Sequence, residues 1–208
     1  MKTYQTFSIV GIALLMLAGC APAPAEIESA PVSDFRPTST IKDIMLSVVD
    51  PSADAIWESV ATVVDFEGIH EEFPETDEEW VAVRIEAIRI IEGSNMLLVP
   101  GRDVAEPGAN SEFPGIELEP EEVQELIEQD WAAWTEFAHG LHDMATITLA
   151  AIDARDTEAL LASGEGLDVA CERCHLNYWY PNDAAARELF EDNERLRQEF
   201  DVIDGEIQ

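Results

Sequence analysis

The chain has 208 residues, 44 acidic side chains against 11 basic ones, and a formal net charge of −33. Its apolar fraction of 47% argues against wholesale disorder, and its length suits one domain with appendages or at most two small domains. Such acidity rules out nucleic-acid binding and disfavours docking on anionic lipid through a basic patch; it fits a surface adapted to salt, or a partner with a basic face.

Residues 1–6 carry the amino terminus and Lys2, and residues 7–19 are an apolar run of thirteen broken only by Ser8. As a helix, that run reaches about 20 Å, short of a hydrocarbon core about 30 Å thick. A basic start, a short apolar core and small residues before a break predict a secretory signal. Leu17-Ala18-Gly19-Cys20 resembles the bacterial lipobox, whose cysteine is lipidated and becomes the first residue of the mature chain. The resemblance implies a signal peptide over 1–19, a lipid on Cys20 and the periplasmic side of a bacterial membrane. Ala21, where an inner-membrane retention signal often has Asp, leans toward the outer membrane. A plain signal peptide or a retained N-terminal helix is the alternative.

Residues 20–37 hold Pro22, Pro24, Pro31 and Pro37 and no apolar periodicity, which predicts a stiff, extended tether. Beyond it the pattern is helical, with no convincing alternating strand and no solenoid repeat. The first segment spans 38–65, with Ile41, Ile44, Met45, Val48 and Val49 on one face and Ile56, Trp57, Val60, Val63 and Val64 continuing the stripe. Asp50-Pro51 restarts or kinks it, since Asp caps well and Pro is tolerated at the first helical position. Residues 68–74 predict a loop. The second helix starts at Thr76, where Thr76-Asp77-Glu78-Glu79 forms a capping box with acids in the first turn. Trp80, Val83, Ala87, Ile88, Ile91 and Leu98 supply its buried face, and Val99-Pro100-Gly101 ends it. Residues 101–120 form a connector of about twenty residues, long for a compact domain.

The third helix runs over 121–153, with Trp131, Trp134, Phe137, Leu141 and Met144 at helical spacing. The fourth begins near Thr157, passes Leu160 and Leu167, and stops by Pro181; a fifth, charged segment covers 183–200. Four amphipathic helices of this length predict an all-α, antiparallel four-helix bundle over 38–181, with an extra helix in the acidic extension 182–208.

The fourth helix carries Cys171-Glu172-Arg173-Cys174-His175, the Cys-x-x-Cys-His pattern of covalent c-type haem attachment. Thiols three residues apart on a helix share a face and reach the two vinyl groups of one porphyrin. His175 follows at once and lies one turn from Cys171, where a neutral imidazole can ligate iron. The competing readings are a thioredoxin-like pair, which wants a βαβ context; a zinc site, which wants a second ligand cluster; and a disulfide, which leaves His175 unexplained. Trp57, Trp80, Trp131 and Trp134 are candidate walls for a haem slot, or ordinary core.

An exported four-helix bundle with Cys-x-x-Cys-His in its last helix, an aromatic (Tyr178) three residues after the His, and Met45 on the first helix resembles cytochrome c prime and its Met-ligated low-spin relatives. The likeness covers about 38–181. It implies one haem c held between the first and last helices, with His175 as proximal ligand and a distal position supplied by the first helix. An apolar distal residue leaves the iron open to NO or CO. A Met there, which Met45 is placed to be, gives a six-coordinate iron of raised potential suited to electron transfer; as an adaptable side chain, Met45 also suits plain core filling. Met96 and Met144 lie on other helices. His139, His142 and His70 are expected to face solvent or make hydrogen bonds.

Three features depart from the family pattern. Trp179 stands where many members have Arg or Lys, 27 residues follow Pro181, and the Pro51 break and long connector are elaborations. The implied function is a lipid-anchored, periplasmic single-electron carrier and not an enzyme, with a redox partner bearing a basic docking patch and with the family's homodimer as a possible assembly. The alternative is a five-coordinate haem protein that binds or scavenges NO or CO. A structural lipoprotein without haem is a third class.

Overall fold

A computed structural model describes residues 34–207 except Asp65 and Glu67, with side chains of the last helix described through Arg195. The expected signal peptide, the lipidation site Cys20 and most of the tether lie outside the described residues.

The described residues are mostly helical, compatible with the all-α expectation, and among them is one small hairpin. Helix α1 (Ile41–Ile44) opens on a capping box in which the Thr40 hydroxyl accepts from Asp43 N and the Asp43 carboxylate accepts from Thr40 N. It runs on through a π turn, Met45–Val49, into α2 (Asp50–Glu58). Pro51 accounts for the change of register. Proline has no N–H to give the preceding turn, and in a regular helix its ring presses on the carbonyl four residues back, here Ser47. The widened register instead sends the Asp50 N–H to the Met45 carbonyl. Gly93 on the neighbouring helix leaves room for the wider turn: a Cβ there would sit 3.0 Å from Val49 Cγ2.

The first helical segment ends at Glu58, short of the expected 65. Strand β1 (Ala61–Val64) then pairs antiparallel with β2 (Ile69–Glu72), with Val64 opposite Ile69. No strand was expected here. The β-branched run Thr62-Val63-Val64 favours extended backbone, and Gly68, at φ +137°, supplies a conformation that other residues rarely adopt.

Helix α3 (Asp77–Leu97) starts at the Thr76–Glu79 capping box, as expected. The predicted third helix is two. Helix α4 (Pro120–Gln129) stops at Asp130, which leaves helical geometry (φ −139°, ψ 73°) and caps α5 (Trp131–Ala154) by accepting from Ala133 N. Helix α6 (Thr157–Tyr178) follows after a two-residue turn with Arg155 in the left-handed region. Helix α7 (Ala184–Ile207) forms the extension.

Helix α2 packs on α3 and α6, α3 packs on α5, and α5 packs on α6, so these segments surround one core. Ile44, Ile56, Ile90, Leu160 and Leu167 are almost wholly buried at its centre. The connector 98–119 is pinned at both ends. Near its start the Asp103 and Val104 carbonyls accept from Ile41 N and Lys42 N, at 2.9 Å each. These bonds satisfy donors that a helix start leaves without partners. The buried Arg102 donates to the Met96 carbonyl at 3.0 Å and to the Ser39 carbonyl. Near its end, Leu118 N donates to the Trp179 carbonyl at 2.8 Å. The connector therefore joins the beginning of α1 to the end of α6.

Candidate functional site

Helical spacing on α6 puts Cys171, Cys174 and His175 on the side of the helix turned to the interior, where all three are half-buried. Met45, the first residue of the π turn, meets them from another element. The four side chains line one small hollow of about 20 Å³, walled by Val49, Leu97, Trp134, Phe137 and Leu141, with Asp50 also in its lining. Beside it runs an open groove of about 330 Å³ that shares Met45, Trp134, Cys174 and His175 with the hollow. Leu46, Val104, Leu118, Tyr178 and Trp179 extend its apolar wall. Lys42, the only lysine besides Lys2, lines the groove with its Nζ 3.9 Å from Glu112 Oε1.

The aromatic set is fixed by packing. Tyr178 is buried and meets Trp134 and Phe137 edge-on, with ring centroids 5.1 and 5.6 Å away. Trp134 Nε1 donates to the Leu97 carbonyl at 3.3 Å, which satisfies its one donor in the core. Only Trp134 of the four candidate tryptophans lines the hollow and the groove. Trp57 packs on α6, donating to the Gly164 carbonyl at 2.9 Å; Trp80 is buried in the core, and Trp131 is exposed. Met144 packs beside Gly166, and Met96 sits half-buried against the core. His139 and His70 are exposed, and His142 lies beside Asp143.

Burial pushes the Cys171 thiol up to about 12, with Asp168, Asp50 and Glu172 adding to it. Burial likewise pushes Cys174 up to about 12. Burial pulls His175 down to about 4. At neutral pH the site therefore presents two protonated thiols, not joined to each other, and a neutral imidazole with a lone pair to give. Asp50 is raised, by burial first and then by Asp54.

No family model, curated protein or solved structure matches the chain.

The sequence pointed to Met45, Cys171, Cys174 and His175 as ligating or attaching residues and to Trp134 as a wall, and missed others. Leu46 and the connector residues Val104 and Leu118 carry no motif; their role follows from how the connector is pinned. Glu172 and Tyr180 were also missed. The Tyr180 hydroxyl donates to Glu172 Oε2 at 2.7 Å and lies 3.4 Å from His175 Nδ1. The run Tyr178-Trp179-Tyr180 was a visible cue, but eight residues separate Tyr180 from Glu172, too many for a helical pattern to pair them.

Proposed function

We propose that this protein is a c-type cytochrome of the four-helix-bundle kind, a single-electron carrier with one haem bound through Cys171 and Cys174. The observation that carries the reading is the shared, mainly apolar hollow, lined by Met45 from the first helical segment and by Cys171, Cys174 and His175 from α6. The adjoining groove lies within the range of small-molecule and cofactor sites, about 300–1,000 Å³. The donor set fits the group: two thiols with no disulfide, a neutral imidazole and a thioether around apolar walls. When bound, the haem iron supplies the one-electron couple.

The chain's own residues do the rest. Cys171 and Cys174 would hold the ring, and His175 and Met45 would ligate its iron. Trp134, Phe137 and Leu141 exclude water, which lowers the local dielectric and tunes the potential. Lys42 offers the groove its positive charge. The four-helix bundle, the lipid on Cys20, the periplasmic setting and a redox partner with a basic face belong to the same proposal.

The open groove beside Met45 favours a second reading, a five-coordinate haem protein that binds NO or CO. Expression with a cytochrome c maturation system tests the reading that both share. The expected product has one covalent haem, seen as a mass increment and a c-type haemochrome spectrum. Cys171→Ala combined with Cys174→Ala should lose it. A wild-type chain that matures without haem sinks both readings.

A further inference from the structure

The end of α6 folds back on itself. Trp179 N and Tyr180 N both donate to the His175 carbonyl, at 2.8 and 3.0 Å. Pro181 follows and cannot continue the helix, and it also biases Tyr180 away from helical backbone. The Tyr180 side chain therefore doubles back along α6 to reach Glu172, one turn before His175. Its hydroxyl proton goes to Glu172 Oε2 at 2.7 Å. A phenol has one proton to give. With that proton committed, its oxygen can only accept from the imidazole, whose Nδ1 lies 3.4 Å away. The network thus assigns the His175 proton to Nδ1 and leaves the Nε2 lone pair free. The rings of Trp179 and Tyr180, with centroids 5.1 and 5.7 Å from the imidazole, restrict its rotation.

We propose that Tyr180 and Glu172 are positioning residues for His175, holding its tautomer and ring direction and increasing electron donation from Nε2. The proposal rests on the reading of His175 as an iron ligand. A hydrogen bond from the far ring nitrogen makes an imidazole more basic, and the carboxylate strengthens the phenol as an acceptor. A more basic imidazole would favour the oxidised iron, so the relay would lower the reduction potential.

The test uses the full, haem-loaded chain. The potential is measured by spectroelectrochemistry. The iron–histidine stretch is measured by resonance Raman in the Met45→Ala background, where the ferrous iron is expected to be five-coordinate. Tyr180→Phe should raise the potential and lower the stretching frequency at unchanged haem content. Glu172→Gln, which keeps the side chain's size and removes its charge, should shift both in the same direction, and should shift them less once Tyr180→Phe is present. An unchanged potential and stretch in Tyr180→Phe overturn the proposal while leaving the cytochrome reading intact. An equal Glu172→Gln shift with and without Tyr180 overturns the relay. Absence of haem from the wild-type chain overturns the cytochrome reading and this inference together.

Discussion

Burial of His175 has a consequence for stability that pH can read out. An unfolded imidazole takes a proton near pH 6.5, whereas burial holds the folded one back to about 4. The unfolded chain therefore binds more protons between those values, and folding stability falls as the pH drops through that window. Above pH 6.5 the penalty is absent; below 4 it is complete. For a haem-free chain carrying Cys171→Ala and Cys174→Ala, the expected loss is about 2–3 kcal/mol, allowing for partial exposure. Urea unfolding at a series of pH values checks this. His175→Phe should flatten the slope between pH 6.5 and 5, above the carboxylate range. Cys171, Cys174, His175 and Met45 were legible as candidates because their signals are local: a five-residue motif and one Met on an apolar stripe. Glu172 and Tyr180 were not, because their meeting depends on how the chain reverses beyond the helix end.

Among the elements, the turn that bears Met45 is the most informative. Pro51 signalled an interruption in the sequence, but the outcome is a change of register within a continuing helical segment and not a break. Gly93 completes that arrangement from α3. Gly93→Ala would bring a Cβ within 3.0 Å of Val49 Cγ2 and 3.4 Å of Val48 Cγ1, both on branched, stiff side chains. Overpacking of this kind costs about 1–3 kcal/mol, measurable by thermal unfolding of the haem-free and haem-loaded forms. A Gly93→Ala variant as stable as the wild type would show that the turn yields freely. The α3 start was readable from Thr76 and Glu79 because a cap is a short, chemically specific pattern. The hairpin was missed because Val60, Val63 and Val64 also satisfy a helical period, so β-branching had to decide. The split at Asp130 was missed for a similar reason. Ile127, Trp131 and Trp134 keep the stripe in phase across it, and an Asp reads as a cap only when the backbone around it turns.

For the whole molecule, helices around a shared core were legible from four amphipathic stripes, whereas the connector's role was not. Its hydrogen bonds with Ile41, Lys42 and Trp179 tie the start of α1 to the end of α6 beside the groove. The surface is overwhelmingly acidic, so long-range attraction toward a basic redox partner is the expected source of fast encounter. Salt shortens the reach of that attraction, to about 10 Å at 0.1 M. Stopped-flow electron transfer with a basic redox protein should therefore slow steadily as ionic strength rises. An unchanged rate would assign the charge to surface adaptation alone.

In the proposed function, Met45 would complete the coordination of a haem held by α6. The ferrous optical spectrum of the haem-loaded protein, recorded before and after CO, tests it most directly. The expected wild-type spectrum is low-spin and indifferent to CO, and Met45→Ala should become high-spin and shift when CO is added. A wild-type spectrum that is already high-spin and shifts readily with CO would contradict Met45 ligation and leave the gas-binding reading in its place.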